Sequence, residues 1–329
     1  MALNVNENTH PVPEEVAEDI IVSIAQSLRE INRYPDREFT GLREGFAGYL
    51  GHGLSREQIW AANGSNEVLQ HLLLAFAGPG RTAFGFAPTY SMYPLLTRAT
   101  GAQYIAGTRG VDYTLDAADA AAQVAAAQPD IVFLCAPNNP TGTPLRTDVI
   151  EAVYDATDGI VIVDEAYVEF APREERSALT LLPGRERLVV SRTMSKAFAF
   201  AGARVGYLAA DPAVIDALRL VRLPYHLSAL TQAAASAALR HAPTMLQMVD
   251  DIVAQRDRIS ATLSALGYTP YESWTNFVLF DGVDDPAATW QALCDRGVLI
   301  RDVGIPHSLR VTAGTADEST AFLEALASL

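Results

Sequence analysis

Residues 191–207 read SRTMSKAFAFAGARVGY and directly follow an apolar run at residues 188–190. The apolar run predicts a short buried strand, after which the chain turns polar and presents Lys196 next to a hydroxyl-bearing residue. Arg204 follows in a glycine-rich turn. Burial at the end of a strand lowers the pKa of a lysine and makes its amine a nucleophile that can form a Schiff base. A single loop lysine is more often a surface residue, so this interpretation depends on the other motifs of the chain.

The composition limits the class of protein. The 329 residues are enough for two domains, 49% of them are apolar, and the formal net charge is −15. Such an acidic chain argues against nucleic acid and anionic membranes as partners, although a small anionic ligand can still bind a locally basic site. Cys135 and Cys294 are too few for a disulfide framework, and the six histidines show no metal-ligand spacing. We therefore expect no metal.

The N-terminal residues contain acids and prolines. Residues 1–20 lack the apolar core that a signal peptide needs, and the sequence shows no membrane span. Together with the two scattered cysteines, this predicts a protein of the reducing cytoplasm.

Short apolar segments alternate with helical segments up to about residue 230, and a polar cluster follows several of the apolar segments. Apolar strands that alternate with helices predict an α/β fold with a mostly parallel sheet covered by helices on both faces. Ligands bind such sheets beyond the carboxyl ends of the strands, where all of these clusters fall. The clusters are Asn63-Gly64-Ser65-Asn66, Ala87-Pro88-Thr89-Tyr90, Asn138-Asn139-Pro140-Thr141-Gly142, Asp164-Glu165-Ala166-Tyr167 and the segment around Lys196.

The pattern changes after about residue 231. A long helical segment is followed there by short strands and helices, which predicts a smaller α+β domain that the N-terminal segment joins. We therefore expect a large domain over residues 34–230 and a small domain over residues 1–33 and 231–329. The expected elements of the small domain are helices at 14–30, 245–266, 286–296 and 317–329, and strands near 276–280 and 309–312.

Asp164 ends an apolar strand, where a carboxylate is costly unless a cation meets it. One candidate cation is the protonated ring nitrogen of pyridoxal phosphate (PLP), because an aspartate paired with it makes PLP a better electron sink. A turn or helix-cap aspartate is the commoner interpretation of a single such residue. Asn139, in a tight turn, and Tyr167, three residues after Asp164, can both reach the phenolic oxygen of the same ring.

The cluster at residues 63–66 opens a predicted helix. Free backbone N–H groups and the helix dipole make that position a seat for a phosphate group. Ser65 can cap the helix, bind the phosphate, or do both. Ser195 and Arg204 add a second hydroxyl and a guanidinium for the same dianion. The chain has no Walker-type or G-x-G-x-x-G motif, so nucleotide binding has little support.

Three further residues are candidates for ligand contact. Tyr90 can stack on a flat cofactor ring, and ordinary aromatic packing is the alternative. Arg301 and Arg310 lie near predicted strand ends of the small domain, where each can clamp a substrate anion with two hydrogen bonds. For an isolated arginine, a surface salt bridge is the commoner explanation.

In order and spacing, these motifs together resemble the fold-type I PLP-dependent aminotransferases over nearly the whole chain. Within that superfamily the sequence is similar to the histidinol-phosphate aminotransferase family, and most similar to its actinobacterial branch. The segments that carry this closer resemblance are LNVNEN at 3–8, RYPD at 33–36, PTYSMY at 88–93, RTMSKAFAFAG at 192–202 and LPYHLS at 223–228.

The resemblance implies a role for each matching residue. The implied catalytic set is Lys196, which would form the imine with PLP and shuttle the proton, Asp164, which would pair the pyridine nitrogen, and Tyr167. Asn139 and Tyr167 would hold the phenolic oxygen, and Tyr90 would stack on the ring. The implied contacts of the cofactor phosphate are Ser65, Asn66, Ser195, Arg204 and, from the neighbouring subunit, Tyr34; those of the substrate are Asn8, Tyr90, Asn139, Arg301 and Arg310.

A homodimer with shared active sites follows from the implied role of Tyr34. The implied reaction moves an amino group from glutamate to imidazole-acetol phosphate and gives 2-oxoglutarate and histidinol phosphate. Arg301 and Arg310 would bind the substrate phosphate in one half-reaction and the glutamate carboxylates in the other. The nearest alternative is an aromatic amino-acid aminotransferase on the same scaffold. A decarboxylase of a phosphorylated amino acid and a PLP-sensing regulator are more distant alternatives, and the acidity and length leave no room for the DNA-binding extension of a regulator.

Overall fold

A seven-stranded sheet carries the polar clusters. The computed structural model describes residues 1–172 and 177–329. Across the sheet the strand order is β1-β7-β6-β5-β4-β2-β3. The strands are β1 (Ile59–Ala62), β2 (Thr82–Ala87), β3 (Gln103–Thr108), β4 (Ile131–Cys135), β5 (Ile160–Asp164), β6 (Leu188–Thr193) and β7 (Gly206–Ala210).

Strand direction brings the clusters to one edge. Of the described strand pairs, those that contain β7 are antiparallel, and the pairs from β6 across to β3 are parallel. Because β7 reverses between β1 and β6, β1 points the same way as the parallel strands. The carboxyl ends of β1, β2, β4, β5 and β6 therefore share one edge, as the apolar strand pattern predicts, and the mostly parallel mixed sheet is confirmed.

Strand β6 is longer than its sequence indicates. The apolar run predicts a strand that ends at residue 190, whereas β6 continues through Ser191, Arg192 and Thr193, all of them buried. Each of these polar side chains has a hydrogen-bond partner: Ser191 bonds to Asp164, Arg192 to Glu165, and Thr193 to Ser195. Buried polar groups cost little when they are paired, and the pairing is tertiary, so the hydrophobic pattern does not reveal it.

Helices precede, separate and follow the strands of the large sheet along the chain, and several of them start with familiar capping residues. Asp116 accepts hydrogen bonds from the backbone N–H groups of Ala118 and Asp119 at the start of α5, and Asp211 caps α7 ahead of a proline at its first position. These helices are α1 (Glu14–Leu28), α2 (Thr40–Leu50), α3 (Ser65–Phe76), α4 (Met92–Ala99), α5 (Ala117–Ala127), α6 (Thr147–Asp155), α7 (Pro212–Val221) and α8 (Ala229–Arg240).

The C-terminal part forms a second, antiparallel sheet of order β10-β9-β8. The N-terminal residues run along it, because the Leu3 N–H donates to the Leu299 carbonyl (2.8 Å) and the Thr312 N–H donates to the Leu3 carbonyl (2.9 Å). This pairing carries residues 4–8 to the edge of the large sheet. The elements are β8 (Thr269–Pro270), β9 (Phe277–Asp281), β10 (Leu309–Thr312), α9 (Ala242–Met245), α10 (Gln247–Ala265), α11 (Pro286–Asp295) and α12 (Ala316–Ala327). Within the described part of the chain, every helix is too short or too polar to cross a lipid bilayer.

Candidate active site

A cavity of about 640 Å³ opens at the shared carboxyl edge of the large sheet. Four elements contribute to its wall: the strand ends, the first turn of α3, residues 4–7, and the neighbouring ends of the small sheet. The sequence-predicted residues in this wall are Ser65, Asn66, Tyr90, Asn139, Asp164, Tyr167, Ser195, Lys196, Arg204, Arg301 and Arg310. Residues that are up to 245 positions apart in sequence thus line one space.

Lys196 lies on the loop that follows β6, and its side chain is half-buried. The Nζ atom donates to the Val5 carbonyl oxygen at 3.2 Å and lies 5.9 Å from the centroid of the Tyr167 ring. Burial first, and then the positive charges of Arg310 and Arg204, lower the pKa of Lys196 to about 8, although Glu7 acts in the opposite direction. This amine gives up its proton more readily than an ordinary lysine, as the sequence predicts for a nucleophile.

Asp164 is buried at the end of β5, with 2% of its surface exposed. Its Oδ2 accepts a hydrogen bond from the Tyr93 hydroxyl at 2.9 Å, and its Oδ1 accepts one from the Ser191 hydroxyl at 3.2 Å. Burial raises the pKa of this carboxyl to about 6. Both side-chain partners among the described residues are neutral hydroxyls, so the charge of this buried acid in the cavity wall suits a cation that a ligand supplies.

Tyr167 and Asn139 are hydrogen-bonded to each other in the cavity wall, which also contains Asp164. The Tyr167 hydroxyl accepts from Asn6 Nδ2 at 3.0 Å and from Asn139 Nδ2 at 3.4 Å. Burial raises the pKa of Tyr167, so the hydroxyl keeps its proton. Among the described residues no acceptor takes that proton, which is therefore available to an anionic oxygen in the cavity.

The first turn of α3 and the Arg204 guanidinium lie against each other. Gly64 has a positive φ of 84°, and a Cβ added there would collide with the Arg204 guanidinium. A Cβ on Gly206 would collide with the backbone nitrogen of Ser65. The two glycines let a cation and the N-terminus of a helix approach closely, and this arrangement favours a phosphate group. On the adjoining loop, the Ser195 hydroxyl is held at 3.0 Å by Thr193.

Tyr90 forms part of the wall between these groups. Its hydroxyl donates to Asn66 Oδ1 at 3.2 Å, and its ring meets the Tyr93 ring edge-on with centroids 5.5 Å apart. Burial raises the pKa of Tyr90. The ring is therefore fixed at its edge and at its hydroxyl.

Arg310 is a buried cation at the opposite wall. Its Nη1 donates to Asn139 Oδ1 at 2.6 Å and its Nη2 to the Asn4 carbonyl at 3.0 Å, while its Nε is buried without a partner among the described residues. Burial lowers the pKa of Arg310 to about 10. Arg301 is exposed, and it exchanges two backbone hydrogen bonds of 2.9 Å with Arg310. One buried and one exposed arginine are thus paired through their backbones in the cavity wall.

Comparison with known proteins identifies the family. A family model described as "Aminotransferase class I and II" matches residues 1–326. The histidinol-phosphate aminotransferase of Paenarthrobacter aurescens is 64% identical over 330 residues, which cover 99% of this chain and 89% of that protein. The chain belongs to the histidinol-phosphate aminotransferase family. The enzyme of the same name from Corynebacterium glutamicum is 52% identical over 332 residues, which cover 99% of this chain and 90% of that protein.

Solved structures agree with this membership. The histidinol-phosphate aminotransferase of Sinorhizobium meliloti, determined in complex with pyridoxal-5'-phosphate, is 25% identical with a TM-score of 0.88, over 99% of this chain and 89% of that chain. The enzyme of that name from Clostridium acetobutylicum is 20% identical with a TM-score of 0.88, covers 100% of this chain and 98% of that chain, and supports the fold alone. The expected fold type and actinobacterial resemblance are confirmed, and the protein is a PLP-dependent aminotransferase.

The cavity fits this cofactor. Within residues 1–172 and 177–329 it offers a buried acid without a cation of its own and a hydroxyl proton without an acceptor. It also offers a glycine-lined helix N-terminus beside a guanidinium, and a lysine of lowered pKa. These are the groups that a pyridine nitrogen, a phenolate oxygen, a phosphate and an aldehyde require. The match does not depend on any one motif.

Two of the expected site residues lie elsewhere. The Asn8 side chain donates to the Ala197 carbonyl at 3.4 Å and does not line the cavity, whereas Asn6, two residues earlier, does. Tyr34 is 80% exposed and stacks on Tyr225, with ring centroids 4.4 Å apart. The roles that the resemblance implies for Asn8 and Tyr34 therefore stay predictions.

Sequence reasoning missed three functional neighbours. Asn6, Tyr93 and Ser191 all bond to residues of the predicted catalytic set. Tyr93 lies in the first turn of α4, three residues after Tyr90, and Ser191 is the register partner of Asp164 across β5 and β6. A further signal is composition, because Lys196 is the only lysine in the sequence.

Proposed function

We propose that this aminotransferase is a histidinol-phosphate transaminase of histidine biosynthesis. It transfers the amino group of glutamate to imidazole-acetol phosphate, which gives 2-oxoglutarate and L-histidinol phosphate. It also catalyses the reverse transfer. The observation that carries the proposal is 64% identity to the Paenarthrobacter aurescens enzyme over 99% of this chain. The paired guanidiniums of Arg301 and Arg310 also suit substrates that carry a phosphate or a carboxylate. The alternative of an aromatic aminotransferase is not favoured, because relatives at this level of identity carry the histidinol-phosphate name.

In this proposal the cavity wall holds the cofactor at four points. When bound, PLP supplies an electron sink for the carbon that carries the amino group. Asp164 pairs the ring nitrogen. The protonated nitrogen is then the cation that the buried carboxylate lacks among the described residues. Tyr167 and Asn139 donate to the phenolic oxygen, and Tyr90 packs against the ring. The residues that hold the phosphate are Ser65, Asn66, Ser195, Arg204 and Tyr34 of the neighbouring subunit.

Lys196 is the proposed covalent anchor and proton carrier. With a pKa of about 8, its Nζ can accept a proton from the substrate carbon near neutral pH and return it. The amine lies between the Val5 carbonyl and the Tyr167 ring, so a proton on Nζ has an acceptor within 3.2 Å. Tyr167 therefore serves both the phenolic oxygen and the environment of the lysine.

The substrate is held at the far wall. Arg310 keeps its guanidinium plane fixed by bonds to Asn139 and Asn4, and Arg301 adds a second cation at the exposed rim. We propose that they bind the phosphate in one half-reaction and the carboxylates of glutamate in the other. Asn8 is proposed as a further substrate contact, which requires its side chain to leave the Ala197 carbonyl.

The proposal also divides the chain into a large domain over residues 34–230 and a small domain over residues 1–33 and 231–329. It further includes a homodimer with shared active sites. Two observations support the dimer: Tyr34 and Tyr225 stack at the surface, and Leu220 and Leu223, close to Tyr225 in the sequence, have side chains that are 87% and 76% accessible. If the fully active enzyme sediments as a monomer in analytical ultracentrifugation, the proposed homodimer is wrong. The two free cysteines support a reducing, cytoplasmic location.

Substrate preference tests the proposed function. We expect kcat/KM for histidinol phosphate to exceed that for phenylalanine by at least about 100-fold, because a phosphate dianion makes more charge-assisted hydrogen bonds to two guanidiniums than a single carboxylate does. The measurement is steady-state transamination with 2-oxoglutarate as acceptor for both donors. A preference for phenylalanine would make this enzyme an aromatic aminotransferase instead.

Replacement of the buried arginine tests the substrate wall. We expect Arg310→Lys to raise KM for glutamate by about 100-fold, because an ammonium offers its donors from one atom and lacks the planar fork that reaches Asn139, Asn4 and a carboxylate from separate nitrogens. Arg301→Lys, at the exposed rim, is the matched comparison, with an expected increase below about tenfold. Glutamate titrations at saturating PLP measure both, and a larger effect at position 301 would reverse the assignment.

A further inference from the structure

Two hydroxyls hold the Asp164 carboxylate through hydrogen bonds of different length. The Tyr93 hydroxyl donates to Oδ2 at 2.9 Å and the Ser191 hydroxyl to Oδ1 at 3.2 Å. Tyr93 is fully buried, so its proton has no access to solvent. The proposed reaction assigns no role to Tyr93, although it makes the shorter of the two side-chain bonds to the acid.

Packing fixes the Tyr93 hydroxyl in place. Its ring stacks in parallel on Phe133 of β4, with centroids 4.5 Å apart and an angle of 5° between the planes. The Tyr90 ring meets the Tyr93 ring edge-on, with centroids 5.5 Å apart. Two aromatic contacts leave the phenol little freedom. The bond to Asp164 is therefore preorganised before any ligand arrives.

The other described groups around Asp164 do not help to keep its carboxylate charged with a side-chain hydrogen bond, and the negative charge of Glu165 raises the pKa of Asp164. Cys135 is its register partner across β4 and β5, and burial raises the pKa of this thiol to about 12, so the thiol is neutral. Glu165 is turned to the other side of the strand, where it pairs with Arg192 at 2.9 Å. The backbone N–H of Ala166 adds a hydrogen bond. Side-chain control of the carboxylate thus falls to Tyr93 and Ser191 within the described residues.

We propose that Tyr93 is a positioning residue of this reaction, whose hydroxyl keeps the Asp164 carboxylate charged and aimed at the ring nitrogen of the cofactor. This inference rests on the proposed pairing of Asp164 with that nitrogen. Without the hydroxyl, the carboxylate becomes a stronger base, and the proton shared with the ring moves from nitrogen towards oxygen. The ring then withdraws less electron density, which slows proton removal from the substrate without weakening substrate binding.

Tyr93→Phe tests this with the stacked ring retained. Tyr104→Phe is the matched control, because the Tyr104 hydroxyl is also buried but has no hydrogen-bond partner among the described residues. Each PLP-loaded enzyme carries ¹⁵N at the pyridine nitrogen, and its ¹⁵N chemical shift is read at one pH alongside steady-state kinetics. We expect Tyr93→Phe to move the shift towards that of unprotonated pyridine, and to lower kcat about tenfold with KM for glutamate within about twofold. Tyr104→Phe keeps the wild-type shift and kcat.

The outcomes separate this inference from the proposed function. A wild-type ¹⁵N shift in Tyr93→Phe overturns the inference, and so does a change matched by Tyr104→Phe. Asp164→Asn must move the shift; if it does not, the pairing of Asp164 with the ring fails as well. If Tyr93→Phe cannot be purified folded, Tyr93→Met also lacks the hydroxyl, and the same direction of shift is required of it.

Discussion

Lys196→Ala is expected to lower kcat by at least about 10⁴-fold, because one side chain supplies both the covalent anchor and the proton carrier. The chain offers no substitute, since Lys196 is the only lysine among its 329 residues. Steady-state transamination measures the loss. Borohydride reduction followed by intact-protein mass spectrometry measures the anchor, and we expect one pyridoxyl group per wild-type chain and none in Lys196→Ala.

Because the sequence contains no other lysine, a pyridoxyl group attached to a lysine must be attached to Lys196. Only the N-terminal amine could compete, and in the structure it donates to the Gly297 carbonyl at 2.7 Å, at the small sheet. Lys196→Arg is the matched variant, because it keeps a positive charge but cannot form the imine, and we expect the same loss. If either variant still incorporates one pyridoxyl group, or keeps more than about 1% of kcat, Lys196 is not the anchor.

Sequence pattern located most of the site because strand polarity is predictable. An apolar segment such as Ile160-Val161-Ile162-Val163 is typical of a strand in a parallel sheet covered on both faces, and the residue that follows such a strand lies at the carboxyl edge. The same logic placed Asn139 and Lys196 at that edge. The structure then brings these segments to one cavity without any exception among the strand-end clusters.

What the pattern could not supply is the pairing of side chains across elements. Tyr93 reaches Asp164 over 71 positions, and Asn6 reaches Tyr167 over 161 positions. A buried hydroxyl looks in sequence like any aromatic or small residue of a helix or strand. Only the packed structure decides which carboxylate it meets, and the extension of β6 through three polar residues follows from the same kind of contact.

Asp164→Asn is expected to lower kcat by about 10²–10³-fold, because a neutral amide of the same size cannot stabilise the proton on the cofactor ring nitrogen. Steady-state kinetics of the PLP-loaded enzyme measures this effect. Asp281→Asn is the matched control: Asp281 also ends a strand, but it belongs to the small sheet and lies outside the cavity wall. Its kcat should equal that of the wild type.

The Asp164 charge that supports activity should destabilise the PLP-free protein. The folded-state pKa of Asp164 is about 6, above its ordinary value of 3.8, so the stabilising contribution is complete below pH 4 and is lost as the pH rises through 6. Relative to Asp164→Asn, the PLP-free wild type should therefore lose about 2–3 kcal/mol of unfolding free energy between pH 4 and pH 7. Bound PLP should cancel this loss, since its ring then provides the missing cation. Equal pH profiles for the two PLP-free proteins would mean that the buried carboxylate is already compensated within the chain, and the reason to assign it a pyridinium partner would be gone.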